Sequence, residues 1–387
     1  MKITLLKPVP LSYVAPKDDP SRYLRGQRLS FLLVRAEAVD GTVGFGEVCD
    51  SFCCNYPASV AAVIEEALAP LIVGKNLDDV ADLVAEVRRI TRRRLGDHGL
   101  AVQALSGVEI ALWDLKGKLV GKPVCELLGG NVGEIPIYAS GSFLDEGGPE
   151  WHAQFFEPLL QRGVRTLKVR LGADYEPQLQ TLRELRTRLG DGVRIIVDGS
   201  EFFNLDQAIA IAGKLAELNI LFFEEPIAQC EREAIAKLVK RSPLPIAYGE
   251  HLYLTHDFAD CLEHHRANYL QPDASISGGI AEGLKIAQLA KKHGIRVLPH
   301  CAAGPVSLAA NLHMAAAIQG IEKFEYSFPL QPAWRAMAGE NSFLNDVHDG
   351  RIRVPRSAGL GVELRPEVFG DSQGQHLAVV QSSAHGG

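Results

Sequence analysis

From Ile135 onward the chain repeats one phrase: a short apolar run, a helical stretch, then the next run. The runs end at Ser140, Arg170, Asp198, Glu224, Glu250, Asp273, His300 and, near the end of the series, Glu325, spaced 23 to 30 residues apart. Between them, apolar residues recur at three- and four-residue intervals over 175–189, 205–218 and 279–294, which is the period of amphipathic helices. Strands alternating with helical crossovers specify a parallel sheet. Eight strands with seven helical stretches predict a closed barrel. An open doubly wound sheet would spread the strand ends along an edge, whereas a barrel gathers them on one face. Lys168, Asp198, Glu224, Glu250, Asp273, His300 and Glu325 would then share one pocket.

The remaining text assigns itself around that barrel. Residues 1–130 read as a hairpin (Ser30–Ala38 against Val43–Val48, with Gly41 and Gly44 at the turn) followed by three amphipathic helices, an α+β capping domain. The barrel occupies 131–330. Residues 331–370 lack a helical period and are expected to return to the cap as an extended strand pair. The Gly/Ser/Gln-rich stretch 371–387 is expected to be a loosely ordered tail.

Composition narrows the partners. Hydrophobic residues make up 47% and charged residues 22% of the 387 positions, enough to bury a large core and to exclude disorder for the bulk. A net charge of −7 repels phosphate backbones and anionic lipid, so neither nucleic acid nor a membrane surface is an expected partner. The run Arg88, Arg89, Arg92, Arg93, Arg94 follows acidic helical text and reads as a solvated helix face. Seven cysteines at irregular spacing point to a reducing compartment, and Cys49, Cys53 and Cys54 read as packing groups rather than zinc ligands. The opening apolar stretch is too short for a secretion signal and no run is long enough for a membrane helix, so a cytoplasmic location is expected.

Asp198, Glu224 and Glu250 end three consecutive strands at equal spacing. Three carboxylates sharing a pocket without a cation would force protonation on at least one. A hard divalent ion resolves this, and an all-oxygen donor set favours Mg²⁺ over zinc. His300 and Asp273 end neighbouring strands, so a carboxylate can fix the imidazole tautomer and make it a usable base. Lys168 and Arg170 flank Val169 and face the interior. Arginine is too basic to accept a proton near neutral pH, which makes Arg170 an electrostatic clamp.

The order Lys168-Val169-Arg170, Asp198, Glu224-Glu225-Pro226, Gly249-Glu250, Gln271-Pro272-Asp273 with Gly278-Gly279, His300 and Glu325 resembles the enolase superfamily, specifically its mandelate racemase branch. VGFGEV at 43–48, ALWDLKGKLVGKPVCELLGG at 111–130 and GLGVEL at 359–364 are also like family segments. The resemblance implies a modified (β/α)7β TIM-type barrel with an α+β capping domain built from both chain ends. It implies Mg²⁺ on Asp198, Glu224 and Glu250, a small carboxylate substrate that chelates the ion, and a base that removes the proton α to that carboxylate. It further implies that Glu325 hydrogen-bonds the substrate carboxylate and that cap loops around 16–25 and 52–56 confer specificity. Tyr23, Arg25, Cys53, Asn55, Tyr56 and Ser200 are the expected substrate-binding residues, and a homo-oligomer is expected. Two positions depart from the family pattern: Arg170 stands where lysine is usual, and Ser200 where asparagine is common.

With His300 as the single clear base, elimination is the simplest chemistry: dehydration of a sugar acid to a 2-keto-3-deoxy acid. A racemase or epimerase of a hydroxy or amino acid would require Lys168 as second base. A cycloisomerase is disfavoured by Asp273 at the sixth strand end, where that branch carries lysine. A chain that keeps the metal site only to bind a ligand is the reading from a different class.

Overall fold

The computed structural model describes residues 1–339, 343–369 and 378–380. Strands β1 (Ile3–Val14), β2 (Arg28–Ala38) and β3 (Val43–Val48) form an antiparallel meander. The expected hairpin is its second half; β1 is the strand that the opening apolar stretch builds. A helix (Pro57–Val63) runs through a π turn into Ala69–Ile72, and two longer helices follow, Val80–Leu95 and Leu100–Val120. The last is buried from Val102 to Leu112 because it lies between the meander and the barrel. It approaches β3 so closely that a Cβ on Gly46 would overlap the Gly107 carbonyl oxygen. The basic run lies on Val80–Leu95, where Arg88 pairs with Asp97 and Arg89 with Glu86, and the rest of it forms the exposed last turn.

The barrel comprises β4 (Glu134–Phe143), β5 (Thr166–Arg170), β6 (Arg194–Asp198), β7 (Ile220–Glu224), β8 (Ile246–Tyr248), β9 (Tyr269–Leu270), β10 (Arg296–Val297) and β11 (Phe324–Ser327). Each pairs in parallel with the next from β4 to β10, and β11 pairs back onto β4. The ring closes where Glu325 N–H donates to the Pro299 carbonyl at 3.3 Å. Seven helices cross between consecutive strands. Tyr138, Ile196, Phe222, Ala247, Tyr269 and Leu298, one from each of six strands or their extensions, fill the lower interior.

After β11, where no helical period was expected, the chain first forms a helix, Gln331–Ala338, whose Ala333, Trp334, Ala336 and Met337 are buried; Pro332 in its first turn masks the short pattern. It then forms β12 (Val347–His348) and β13 (Arg351–Arg353), and β13 pairs antiparallel with β4. The expected strand pair therefore extends the barrel sheet. It is the following stretch that reaches the cap, where Leu360 N–H donates to Asp114 Oδ1 at 2.7 Å and Gly359 bridges Pro123. Of the tail expected to be loose, β14 (Ala378–Val380) lies parallel to β1; residues 371–377 and 381–387 fall outside the described residues. Among the described residues, no helix is long and apolar enough to cross a membrane.

Two cap glutamates dock the cap on the barrel. Glu47 accepts from Gly304 N–H at 2.8 Å and Ser307 N–H at 2.9 Å, at the N-terminus of the helix Pro305–Ala317. Glu109 accepts from Ile280 N–H at 2.8 Å and Ala281 N–H at 2.9 Å, at the N-terminus of Ile280–Lys292. These N–H groups have no partner within their own helix, and the positive end of each helix dipole favours the carboxylate. Gly278 and Gly279, both at positive φ, admit that approach, since a Cβ on Gly279 would overlap the Glu109 carboxyl group.

Candidate active site

The strands β8, β9 and β10 are short, so Glu250, Asp273 and His300 lie just beyond them. Further interstrand hydrogen bonds hold these extensions in place. Gln271 N–H donates to Tyr248 O at 3.1 Å, Leu298 N–H to Leu270 O at 2.9 Å, and His300 N–H to Pro272 O at 3.2 Å. The strand ends open into a cleft of about 530 Å³ lined by Arg170, Asp198, Glu250 and His300 from the barrel and by cap residues including Tyr23, Phe52 and Asn55. A slightly larger cleft of about 590 Å³ lies at the opposite ends of the strands, beside Arg296 and Gly320, and carries none of these groups.

Under the floor of the cleft, Lys168 is fully buried, with its Nζ 2.5 Å from Glu224 Oε1, 2.6 Å from Glu325 Oε1 and 3.5 Å from Asp198 Oδ2. Burial pulls the Lys168 ammonium down, but the charges of Glu224, Glu325 and Asp198 outweigh it and the net shift is upward. Arg170 Nε lies 3.2 Å from Asp198 Oδ2, and its guanidinium donates to Gly141 O at 2.6 Å and Ser140 Oγ at 3.4 Å. Burial holds Glu325 up, yet Lys168, His300 and Arg170 draw it down to about 2. Cys301 N–H also donates to Glu325 Oε2 at 3.4 Å, so this carboxylate sits beneath the cleft and does not line it.

Asp198, Glu224 and Glu250 offer oxygen donors only, the donor chemistry of a hard divalent cation, but their donor atoms do not already lie within 4.8 Å of one another, so an ion would have to draw them together. Glu224 Oε2 is buried with no hydrogen-bond partner. Burial pushes the Glu224 carboxyl up, and its like-charged neighbours Asp198, Glu325 and Glu250 add to that against the pull of Lys168. A divalent ion would relieve both the orphaned oxygen and the repulsion. Ser200 donates through its N–H (2.7 Å) and Oγ (3.1 Å) to Asp198 Oδ1, orienting that carboxylate.

His300 Nδ1 lies 2.9 Å from Asp273 Oδ2, and its Nε2 lies 3.6 Å from Glu250 Oε2. Asp273 is held in turn by Ser275 N–H at 2.7 Å, Ser275 Oγ at 2.5 Å and Asn311 Nδ2 at 2.8 Å, all onto Oδ1. Burial lowers the imidazole, but Glu250, Glu325 and Asp273 raise it further, to about 10.

Of the loop residues expected to bind substrate, Tyr23, Asn55 and Ser200 line the cleft. Arg25, Cys53 and Tyr56 do not. Arg25 spends its guanidinium on the carbonyls of Asp19 and Pro20. Cys53 is buried, with its N–H bonded to Ala302 O, so the thiol turns into the core; Cys49 and Cys54 are buried too, and all three are free thiols. Tyr56 is 68% exposed at the start of the helix Pro57–Val63.

Sequence reasoning missed one group in the cleft. Glu201, Glu225 and His251 bring donor atoms within 4.8 Å of one another. His251 Nδ1 lies 2.9 Å from Glu225 Oε2, and its Nε2 lies 3.9 Å from Glu250 Oε1. Each residue stands one to three places beyond a strand end that the sequence had marked, and that adjacency was the available signal.

Comparison with known proteins agrees with this geometry. Residues 21–129 match the family described as mandelate racemase / muconate lactonizing enzyme, N-terminal domain, and residues 152–368 match the enolase C-terminal domain-like family. The chain is 30% identical to an arabinonate dehydratase from Saccharolobus solfataricus, over 88% of this chain and 90% of that one. It is also 30% identical to a D-galactarolactone cycloisomerase from Agrobacterium fabrum, over 95% and 98%. Among solved structures, an enolase-superfamily member from Polaromonas sp. JS666 superposes with a TM-score of 0.82 at 29% identity, covering 95% of this chain and 96% of that one. With cap, barrel and strand-end residues all accounted for, the chain belongs to the mandelate racemase and muconate lactonizing enzyme branch of the enolase superfamily.

Proposed function

We propose that the protein dehydrates a sugar acid to a 2-keto-3-deoxy acid, with His300 removing the proton α to the substrate carboxylate and Mg²⁺ as the cation held by Asp198, Glu224 and Glu250. The observation that carries this reading is the His300–Asp273 pair at 2.9 Å, which directs the other imidazole nitrogen toward the cleft. Glu250, Glu325 and Asp273 hold the imidazole protonated while their charge is uncompensated. With the charge of Glu250 offset by a divalent cation, Nε2 gives up its proton to become the base, and Nδ1–H stays donated to Asp273. After taking the proton, the same imidazolium can return it to a β-hydroxyl leaving from its own face. The cation, when bound, supplies positive charge to the substrate carboxylate. Arg170 keeps a guanidinium in the cleft wall as a fixed positive charge, and Lys168 neutralises the carboxylates below. Tyr23, Phe52 and Asn55 come down from the cap and exclude water.

The similarity to an arabinonate dehydratase supports dehydration of a sugar acid. The equally identical D-galactarolactone cycloisomerase favours a second reading, in which the same proton abstraction isomerises a lactone. Racemisation is less well supported. It needs Lys168 as a second base, and that ammonium is buried among three carboxylates.

The test is a screen of the Mg²⁺-loaded protein against sugar mono- and diacids and their lactones, reading 2-keto acid formation and product mass. A keto acid one water lighter than its substrate supports dehydration. A product of unchanged mass from a lactone gives the cycloisomerase. Exchange of the α-proton with solvent and no elimination returns the racemase.

A further inference from the structure

Away from the cleft, two histidines and an aspartate meet across the boundary between cap and barrel. His98 lies in the cap loop joining the helices Val80–Leu95 and Leu100–Val120. His256 and Asp257 lie in the first turns of the barrel helix Leu254–Glu263. His98 Nε2 is 3.2 Å from Asp257 Oδ2, and His256 Nε2 is 3.6 Å from Asp257 Oδ1. One donor atom from each residue falls within 4.8 Å of the other two.

We propose that His98, His256 and Asp257 form a surface site for a first-row transition-metal ion of the zinc class, separate from the carboxylate cluster in the barrel. Metal–nitrogen and metal–oxygen bonds of about 2.0–2.2 Å in a tetrahedron place neighbouring donors about 3.3–3.6 Å apart. A single oxygen, Asp257 Oδ1, lies 3.2 Å from His98 Nε2 and 3.6 Å from His256 Nε2, close to that spacing. Two imidazoles and one carboxylate select a borderline ion such as Zn²⁺ over Mg²⁺, which prefers oxygen donors.

The donors are held from behind. Asp257 Oδ2 accepts from the Tyr253 N–H at 3.1 Å, fixing the carboxylate on the first turn of its helix. Arg88 grips Asp97 beside His98 through contacts of 3.2 Å and 3.1 Å, fixing the loop. Both histidine side chains are about half exposed, so an ion can enter from solvent and keep a water as its fourth ligand.

The site has a mechanical consequence. Cap and barrel already touch there, where Gln103 Nε2 donates to Tyr253 Oη at 3.1 Å. The segment just before Tyr253 carries Glu250 and His251 into the active-site cleft. An ion at His98, His256 and Asp257 would cross-link the cap to the helix that follows this segment.

The test is calorimetric titration of Zn²⁺ into untagged protein kept in excess Mg²⁺, for wild type, His98→Ala and His256→Ala, with thermal unfolding alongside. The expected result is one zinc ion per wild-type chain that is weakened at least about tenfold in either variant. Zinc should raise the wild-type melting temperature, and this rise should be absent in the variants, while their Mg²⁺-supported activity stays at the wild-type level. Any zinc entering the barrel cleft, at the carboxylates or at Glu201, Glu225 and His251, appears equally in all three proteins and cancels, so the site is read as the one ion that the variants lose. Zinc binding of the same stoichiometry and affinity in wild type and both variants overturns the proposal, as does an absence of zinc binding to wild type.

Discussion

His300 Nδ1 and Asp273 Oδ2 lie 2.9 Å apart across the ends of two neighbouring strands, and both residues are buried. This one contact fixes which imidazole nitrogen is left for the cleft. Asp273→Asn keeps the shape but can present an amide N–H to Nδ1, favouring the tautomer whose proton sits on Nε2 and blocks the base. The variant is expected to fold normally by circular dichroism and to lose about 10²-fold or more in kcat. A loss confined to KM would mean that Asp273 only shapes the pocket.

If Asp198, Glu224 and Glu250 hold a divalent cation as proposed, activity depends on that ion. Treatment with EDTA should abolish turnover, and added Mg²⁺ should restore it. Because the ion binds the folded state, Mg²⁺ at 100 times its dissociation constant should stabilise the protein by about 2.7 kcal/mol, read as a rise in melting temperature. Full turnover after exhaustive chelation would remove the cation from the mechanism.

The cleft separates residues that the sequence marks alike as site candidates. Arg170 lines the cleft and Arg25 does not. Arg170→Met should lower kcat/KM by about 10²-fold or more, the scale for losing a preorganised charge, whereas Tyr56→Ala, at an exposed position, should leave it within about twofold. Steady-state kinetics on the substrate found by screening checks both. A large loss in Tyr56→Ala would bring that loop over the cleft.

The docking carboxylate of Glu109 carries a pH signature. Burial pushes it up to about 7 against the pull of the Ala281 and Ile280 N–H groups and Trp113. Relative to an unfolded carboxyl near 4.5, its contribution to stability is fully present below about pH 4.5 and is lost as pH rises through about 7. Glu109→Gln cannot ionise, so its melting temperature should fall less between pH 5 and pH 8 than that of wild type. Equal falls would show that Glu109 ionises without cost in its helix-end site.

Gly279 tests the same junction sterically. Its φ of +103° and the overlap of an added Cβ with the Glu109 carboxyl make Gly279→Ala destabilising by about 2 kcal/mol or more. Chemical denaturation reads this directly, and a neutral result would mean that the cap shifts to make room.

The barrel and its strand-end residues were legible because a parallel barrel converts sequence period into spatial convergence. Every marked residue from Lys168 to Glu325 does lie at that end of the barrel. Depth was not legible. Lys168, Glu224 and Glu325 lie below the cleft, whereas Asp198, Glu250 and His300 reach it, and that depends on stagger between strands. Loop side chains were harder still. Cys53 sits at φ +60°, a left-handed turn whose N–H reaches Ala302, and nothing in the local text distinguishes that turn from one pointing its side chain outward. His251 went unread because it follows the strand end by a single residue, in a turn that swings it back over Glu225. The pairing of β14 with β1 joins the two ends of the chain, a long-range contact that composition does not report.

The most direct measurement is the rate of α-proton loss, followed by deuterium uptake and 2-keto acid formation in D₂O, for wild type and His300→Asn with saturating Mg²⁺. Wild type should show both, and the variant should be slower by about 10³-fold while still binding the acid. A variant within about tenfold of wild type would place the base on another residue and contradict the assignment of His300.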